Sequence, residues 1–381
     1  MWPCSRPKMT DSSHPGLYVH VPFCKSKCPY CDFYSVTSLS SIPDWLEATK
    51  RETLLYRGRF SGFDSLYVGG GTPSLLSGRD LATLASHLHS TFSISRDAEF
   101  TVELNPDDTT SDQTAVLRDL GVNRISLGVQ SFDDRELRFL KRRHTADQAV
   151  KALDELKGAG FAKVGLDLMY GLPGQTKSNW VRTLEQAVSF DPEHLSCYQL
   201  TVHEGTPLGK LQAKGEIKPI TDIKGSAFFV LTSAFLQEKG YIHYEVSNFA
   251  KEEGNLCRHN LKYWNRAPYL GLGPSAHSYL EGTRWWNLVD LEGYCRAVVQ
   301  GKSPVAGSET LTPEQVYLET ILLGFRTRDG VDQEVFQHRP GTKEVLRHLQ
   351  QAGVVQILDR RVVPTVKGFL VADSLPVLFS G

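Results

Sequence analysis

Apolar positions in the first two-thirds of the chain follow two alternating patterns. Short runs read "LYVHVPF" (17–23), "SLYVGGG" (65–71), "EFTVELNP" (99–106), "RISLGVQSF" (124–132), "KVGLDLMYGLPG" (163–174) and "HLSCYQLTV" (194–202). Between them lie helical patterns such as "DWLEATKRETLL", "DLATLASHLHSTF", "QTAVLRDL", "ADQAVKALDELKGAG" and "NWVRTLEQAVSF". Strands alternating with helices of this size predict right-handed βαβ units and a parallel sheet. The periodicity does not distinguish an open sheet from one that curls into a barrel.

Beyond residue 220 the pattern changes. A helix is expected at "KGSAFFVLTSAFLQEKG", then an irregular, aromatic-rich region over 241–296. "LTPEQVYLETILLGFRT" opens with a capping signature: Thr312 as N-cap, Pro313 in the first helical position, Gln315 completing the box. The tail from 342 reads helix, hairpin, helix, a small winged module. Such modules bind DNA or serve as packing and lid elements, and no basic stripe favours DNA here.

Composition narrows the class. At 381 residues, with 40% apolar content, the chain suits one large domain and a smaller one. The formal net charge of −1 gives no general attraction to nucleic acid or an anionic membrane. No apolar run approaches the roughly 20 residues that span a bilayer. "MWPCSRPKMT" lacks the apolar core of a secretory signal, and Met9 is an alternative start. The expectation is a cytoplasmic protein with a disordered segment over 1–14.

Seven cysteines in a chain this long point to reducing conditions, where clustered thiols read as ligands or catalysts. Cys4, Cys197 and Cys295 stand alone. Cys24, Cys28 and Cys31 are packed into "FCKSKCPYCDF", with three and two residues between them. A tetrahedral zinc hairpin would need a second ligand pair elsewhere. A [4Fe–4S] cubane normally takes four thiolates. Three leave one iron with an open position, which a small molecule can fill; a chance cluster is the alternative.

The polar candidates sit where a parallel α/β fold gathers its ligands, at the C-terminal ends of the expected strands. The cysteine loop follows the first strand and "GGGTP" the second. "ELNP", "GVQSF" and "DLMYGLPG" follow the next three. Asp167 lies on an otherwise apolar strand, where an unpaired carboxylate is costly and a polar partner is expected. "LKRRHT" (140–145) is expected to close a helix, with cations at its negative dipole end.

The cysteine spacing is similar to that of radical S-adenosylmethionine (SAM) proteins. "LYVHVPFCKSKCPYCDF", "GGGTPS", "GVNRISLGVQSF", "DLMYGLPGQT" and "YEVSNFA…CRHNLKYW…YLGLGPSAHS" extend the likeness from about residue 15 to the C-terminus. Together they resemble the oxygen-independent coproporphyrinogen III oxidase family and, within it, its HemW-type haem chaperone branch. The resemblance implies a partial (β/α)6 radical SAM core over 15–245. A smaller, mainly helical, winged-helix-like C-terminal domain of HemN type would follow over 246–381, carrying an H-N-x-x-Y-W haem segment. It implies a cluster on Cys24, Cys28 and Cys31, with SAM against Tyr18, Gly70 and Glu103, while Tyr30, Gly71, Thr72, Gln130, Arg142 and Asp167 match positions that contact a second SAM in the oxidases. In chemical terms, Glu103 can pair with the SAM ammonium and Arg142 can fork onto its carboxylate.

Two features separate chaperone from oxidase. The oxidases carry a further cysteine two positions after the third ligand, where this chain has Phe33. "HNLKYW" (259–264) matches the chaperone pattern. His259 offers an axial imidazole for haem iron, and Tyr263 shares its helical face. Tyr263 and Trp264 offer flat contact, and Arg258 and Lys262 offer cations for the propionates. Cys257 is a rival thiolate, and an aromatic segment packed into a domain junction is the plainer alternative. The expected function is binding haem and passing it to an acceptor such as a membrane-bound respiratory cytochrome. The enzymatic rivals are coproporphyrinogen III dehydrogenation and radical SAM chemistry on another substrate.

Overall fold

A computed structural model describes residues 14–337 and 339–380. The expected disordered segment, apart from His14, and the alternative start at Met9 lie outside the described residues. Six parallel strands stand side by side in chain order: β1 (Gly16–Val21), β2 (Phe63–Gly70), β3 (Ile94–Leu104), β4 (Arg124–Gln130), β5 (Lys163–Tyr170) and β6 (His194–Gln199). Each follows the run that predicted it, and a helix separates each from the next.

Side chains alternate along these strands with the period of two that a pleated strand imposes. One face presents Leu17, Val19, Leu66, Val68, Val102, Ile125, Leu127, Leu166 and Leu195 to the helix layer, where they join Leu84, Leu88, Leu156, Trp180 and Leu184 in the main core. Burying each such side chain contributes about 1.5–3 kcal/mol. The other face presents Tyr67, Thr101, Glu103, Ser126, Asp167 and Ser196 to an interior cavity. This curled sheet is polar inside and apolar outside.

The region over 241–296 is not irregular, a correction with a physical cause. It holds β7 (Ile242–His243), β8 (Asn248–Ala250), β9 (Tyr269–Leu272), β10 (His277–Leu280) and β11 (Thr283–Asn287), plus two helices, Arg258–Trp264 and Leu291–Val299. β8 runs antiparallel to β6, and β9 pairs in parallel with β1, matching Gly16 with Tyr269. With β12 (Val305–Thr310) these strands extend the sheet to twelve. Their partners lie far away in sequence, so short strands of mixed composition show no local signature.

The expected boundary at 245/246 falls in the turn between β7 and β8, and the large sheet runs on past it. A separate core of Ile321, Phe325, Phe336, Leu346, Leu349, Val362 and Phe379 marks the smaller unit. There the helix Pro313–Gly324 carries the expected capping box of Thr312 and Gln315. The helix Thr342–Gln351, the hairpin of β14 (Val355–Leu358) and β15 (Arg361–Pro364), and the helix Val366–Val371 form the wing, with β13 (Val331–Asp332) pairing β15.

Candidate functional site

The cysteine loop leaves β1 and is pinned at its base. Cys24 N–H donates to the Val36 carbonyl at 3.0 Å, and Val36 N–H to the Pro22 carbonyl at 2.7 Å. Cys24, Cys28 and Cys31 are half-buried and line the mouth of a cavity of about 620 Å³. Two donors from other elements aim at the sulfurs. Thr72 Oγ1 lies 3.5 Å from Cys24 Sγ, and Arg142 Nη1 3.5 Å from Cys28 Sγ. Donors aimed at sulfur favour thiolates, the form that binds metal. Burial, then the neighbouring Cys28 and Cys24, push the Cys31 thiol pKa up against a lowering bond from the Phe33 backbone. Among the described residues no trio of His, Cys, Asp or Glu already stands in metal-holding geometry. The fit to a cluster rests on the donor chemistry: three thiols on one pinned loop, with hydrogen bonds directed at their sulfurs.

The glycine run has a steric cause. Gly70 sits at φ +109°, where a Cβ would lie 2.4 Å from the His20 ring, and a Cβ on Gly71 would lie 2.6 Å from the Phe23 carbonyl oxygen. These glycines let the second strand end pass directly behind the cysteine loop. His20 is held in turn. Its Nε2 donates to the Tyr34 carbonyl at 2.9 Å, so its Nδ1 accepts from Tyr18 OH at 3.0 Å. Tyr18 supports the site from beneath, while Tyr30, Gly70, Gly71, Thr72, Glu103, Gln130, Arg142 and Asp167 line the cavity itself.

Glu103 receives Tyr67 OH at 2.7 Å and Gly70 N–H at 3.0 Å. Burial pushes its carboxyl up to about 7, Asp167 adds to that, and the two donors hold it back. Asp167 accepts from Ser126 at 3.0 Å, the polar partner its strand demanded, and burial raises it too. Arg142 donates to the Gly128 carbonyl at 2.8 Å and to Asn105, while its buried Nε has no hydrogen-bond partner among the described residues. Gln130 ends β4 with a left-handed φ of 66°. "LKRRHT" does follow a helix, Asp134–Phe139, but its arginines turn to other work. Arg143 bridges Asp107 at 2.6 Å and Asp108 at 2.7 Å, and Lys25 of the cysteine loop meets the same Asp108 at 2.5 Å.

The opposite end of the cavity is closed by the helix Arg258–Trp264, where Cys257 and Asn260 reach the floor beside Arg124 and His194. His259 is 1% exposed. Its Nδ1 shares a hydrogen bond with Ser65 at 3.0 Å, and its Nε2 another with Tyr263 OH at 2.9 Å. Burial drives its pKa down to about 3. Lys262 is fully buried against Asp64 at 2.6 Å, and Arg258 donates to the Asp64 and Asp97 carbonyls. Trp264 lies under Arg326, whose guanidinium carbon is 5.1 Å from the ring centroid. Cys257 points to Glu99, and burial pushes its thiol up to about 12.

Three of the expected haem contacts lie inside this closed floor. Both ring nitrogens of His259 are hydrogen-bonded and Lys262 is paired with Asp64, whereas Arg258 donates only to backbone carbonyls and keeps its charge. Cys257 is a buried neutral thiol. Helical spacing correctly brought His259 to Tyr263, but Ser65, 194 residues away, occupies the other nitrogen. The plainer packing alternative describes this conformation. Tyr67, Asn105, Ser126 and Ser196 escaped the sequence reading, although each lies on or just past an expected strand. The period-two alternation that places Glu103 and Asp167 inward would have found them.

A model of the radical SAM superfamily matches residues 18–187, and one of the HemN C-terminal domain matches 311–371. A Mycobacterium tuberculosis protein named heme chaperone HemW is 37% identical over 366 residues, covering 94% of this chain and 93% of its own. Its Bacillus subtilis namesake is 32% identical over 378 residues, covering 96% and 99%. Among solved structures, coproporphyrinogen III oxidase (HemN) from Escherichia coli, described as a radical SAM enzyme, aligns at a TM-score of 0.82. It has 23% identity over 97% of this chain and 91% of its own, a likeness of fold.

Proposed function

Because the chain belongs to the HemW family within the radical SAM superfamily, we propose that it is a haem chaperone that binds haem and transfers it to acceptor haem proteins. It works with a [4Fe–4S] cluster and SAM. Cys24, Cys28 and Cys31 hold the cluster, which when bound offers an iron open to the amino and carboxylate groups of SAM. Glu103, oriented by Tyr67 and Gly70, takes the SAM ammonium. Arg142, whose Nε has no hydrogen-bond partner among the described residues, takes an anionic group of the cofactor. Gly70, Gly71 and Thr72 form the wall behind it, and Tyr18, Tyr30, Gln130 and Asp167 complete the surround.

The observation that carries this reading is the cavity mouth, where three thiols meet sulfur-directed donors beside the buried Glu103. Phe33 stands where the oxidases place a further thiol, which weighs against coproporphyrinogen III dehydrogenation. His259, Tyr263 and Trp264 reach haem only after the floor helix is released; closed, they plug the barrel. Among the described residues no helix is long and apolar enough to cross a membrane. The acceptor we favour is a membrane-bound respiratory cytochrome met from the cytoplasmic side.

The test is anaerobic haem titration of the cluster-loaded protein, followed by mixing with an apo-cytochrome. Stoichiometric binding and hand-over without SAM consumption are expected. Coproporphyrinogen turnover with release of deoxyadenosine, and no hand-over, would sink the chaperone reading.

A further inference from the structure

Four side chains at the cavity mouth make no hydrogen bond or ion pair among the described residues. Phe33, on the cysteine loop, is 66% exposed, a costly state for a ring of its size. Lys27 on the same loop and Lys141 beyond β4 are exposed. His203, on the loop after β6, is exposed as well. All four line the same cavity as the three thiols.

The backbone around His203 is fixed although its ring is free. Its carbonyl accepts from Thr206 N–H at 3.1 Å and from Thr206 Oγ1 at 2.6 Å. Leu208 N–H donates to the Pro29 carbonyl at 2.8 Å, tying the His203 loop to the cysteine loop. Two other mouth cations, Lys25 and Arg143, are neutralised by Asp107 and Asp108. Lys27 and Lys141 carry no ion pair among the described residues, and Asp32 is a further charged group on this rim.

A free imidazole, an exposed ring and two unpaired ammonium groups around one opening fit a flat apolar dianion with a central metal. We propose that haem docks across this mouth, with His203 as axial ligand to its iron. Phe33 packs against the macrocycle, and Lys27 and Lys141 meet the propionates. This rests on the haem-chaperone reading and gives it a site that the closed floor does not offer. An imidazole with an open nitrogen ligates iron without conformational cost. The interior around Glu103, Asp167 and Arg142 stays available to SAM.

The experiment is a haem titration of the full, cluster-loaded protein, read as the Soret difference spectrum against the same protein without haem. Cluster content is checked by iron and sulfide analysis. His203→Ala is expected to shift the Soret band and weaken binding by about tenfold or more, the scale of one lost strong contact. Phe33→Ala and Lys27→Gln/Lys141→Gln are expected to weaken binding by smaller factors, the lysine pair mainly at low salt. His348→Ala, on the exposed side of the C-terminal module, serves as the control for unspecific imidazole binding. An unchanged Soret band in His203→Ala, or a band lost in His259→Ala instead, overturns the proposal and leaves the chaperone reading standing. Absence of any specific haem binding to the wild type overturns both.

Discussion

The two ends of the cavity are made of similar parts and behave as opposites. Mouth and floor each carry a histidine, aromatic rings, cations and cysteine sulfur. At the floor most of these groups satisfy one another, Trp264 Nε1 excepted: His259 with Ser65 and Tyr263, Lys262 with Asp64, Arg124 with Glu99 and the Asn255 carbonyl. At the mouth they do not. Among the described residues Arg142 Nε and the side chains of His203, Lys27 and Lys141 have no hydrogen-bond partner, and Phe33 is exposed. Residue type alone therefore cannot tell a binding site from a structural plug; unused bonding capacity can.

The largest effect should come from breaking the mouth. Cys28→Ser removes one of three thiolates and is expected to abolish the absorbance near about 400 nm after anaerobic reconstitution. The loop should keep its place, because its base is held by backbone bonds to Val36. A thermal midpoint close to wild type would show that. A cluster that assembles normally in the variant would remove Cys28 from the ligand set.

At the floor the damage should be to stability. Glu99 and Arg124 form an ion pair at 3.4 Å with both side chains 3% exposed, and Glu99 also accepts the His259 N–H at 3.0 Å. Glu99→Ala strands a buried guanidinium, so urea unfolding is expected to show a loss of about 3–5 kcal/mol. Cluster loading of the folded fraction should be unchanged. A loss below about 1 kcal/mol would mean that the floor is not the closed network described.

Tyr263→Phe is a gentler cut at the same place. It leaves His259 Nε2 buried without a partner, a cost of about 1–3 kcal/mol. Hydrogen exchange should quicken in the helix Arg258–Trp264. The variant also sharpens the contrast between the two ends. If haem entered through the floor, loosening the plug would tighten haem binding; haem at the mouth is indifferent to it.

What the sequence could disclose follows the same division. Strand ends at the mouth were legible because βαβ order is local: each run carries its own period, and the fold places their C-terminal ends together. That logic placed Glu103 and Asp167 on the cavity lining, while Arg142 came from the family likeness. The floor was not legible, because its bonds join residues far apart in the chain, Gly16 against Tyr269 and Ser65 against His259. Local helical spacing predicted the His259–Tyr263 contact, whereas its haem role came only from the family likeness. Phe33 was visible as a departure from the oxidase pattern, but its exposure on the same opening as His203 required the fold.

The smallest expected effect is a pH dependence of ligand binding set by Glu103; Glu52 and Glu245 are also raised to about 7 but lie outside the cavity lining. Burial raises the Glu103 carboxyl from the ordinary carboxylate range to about 7, so the folded protein keeps this proton where the unfolded chain has lost it. Stability from this group is therefore full below about pH 4.5 and is lost as pH rises through about 7. Ligand binding has the opposite sign. A cationic ammonium requires ionised Glu103, so SAM affinity should fall about tenfold for each unit below pH 7 and level off above it. Equilibrium dialysis between about pH 5.5 and 8.5 reads this directly, and Glu103→Gln should flatten the curve at weaker overall affinity. His259, driven down to about 3, stays neutral throughout that window and cannot imitate the effect. A slope that survives in Glu103→Gln would place the titrating group elsewhere and remove Glu103 as the ammonium's partner.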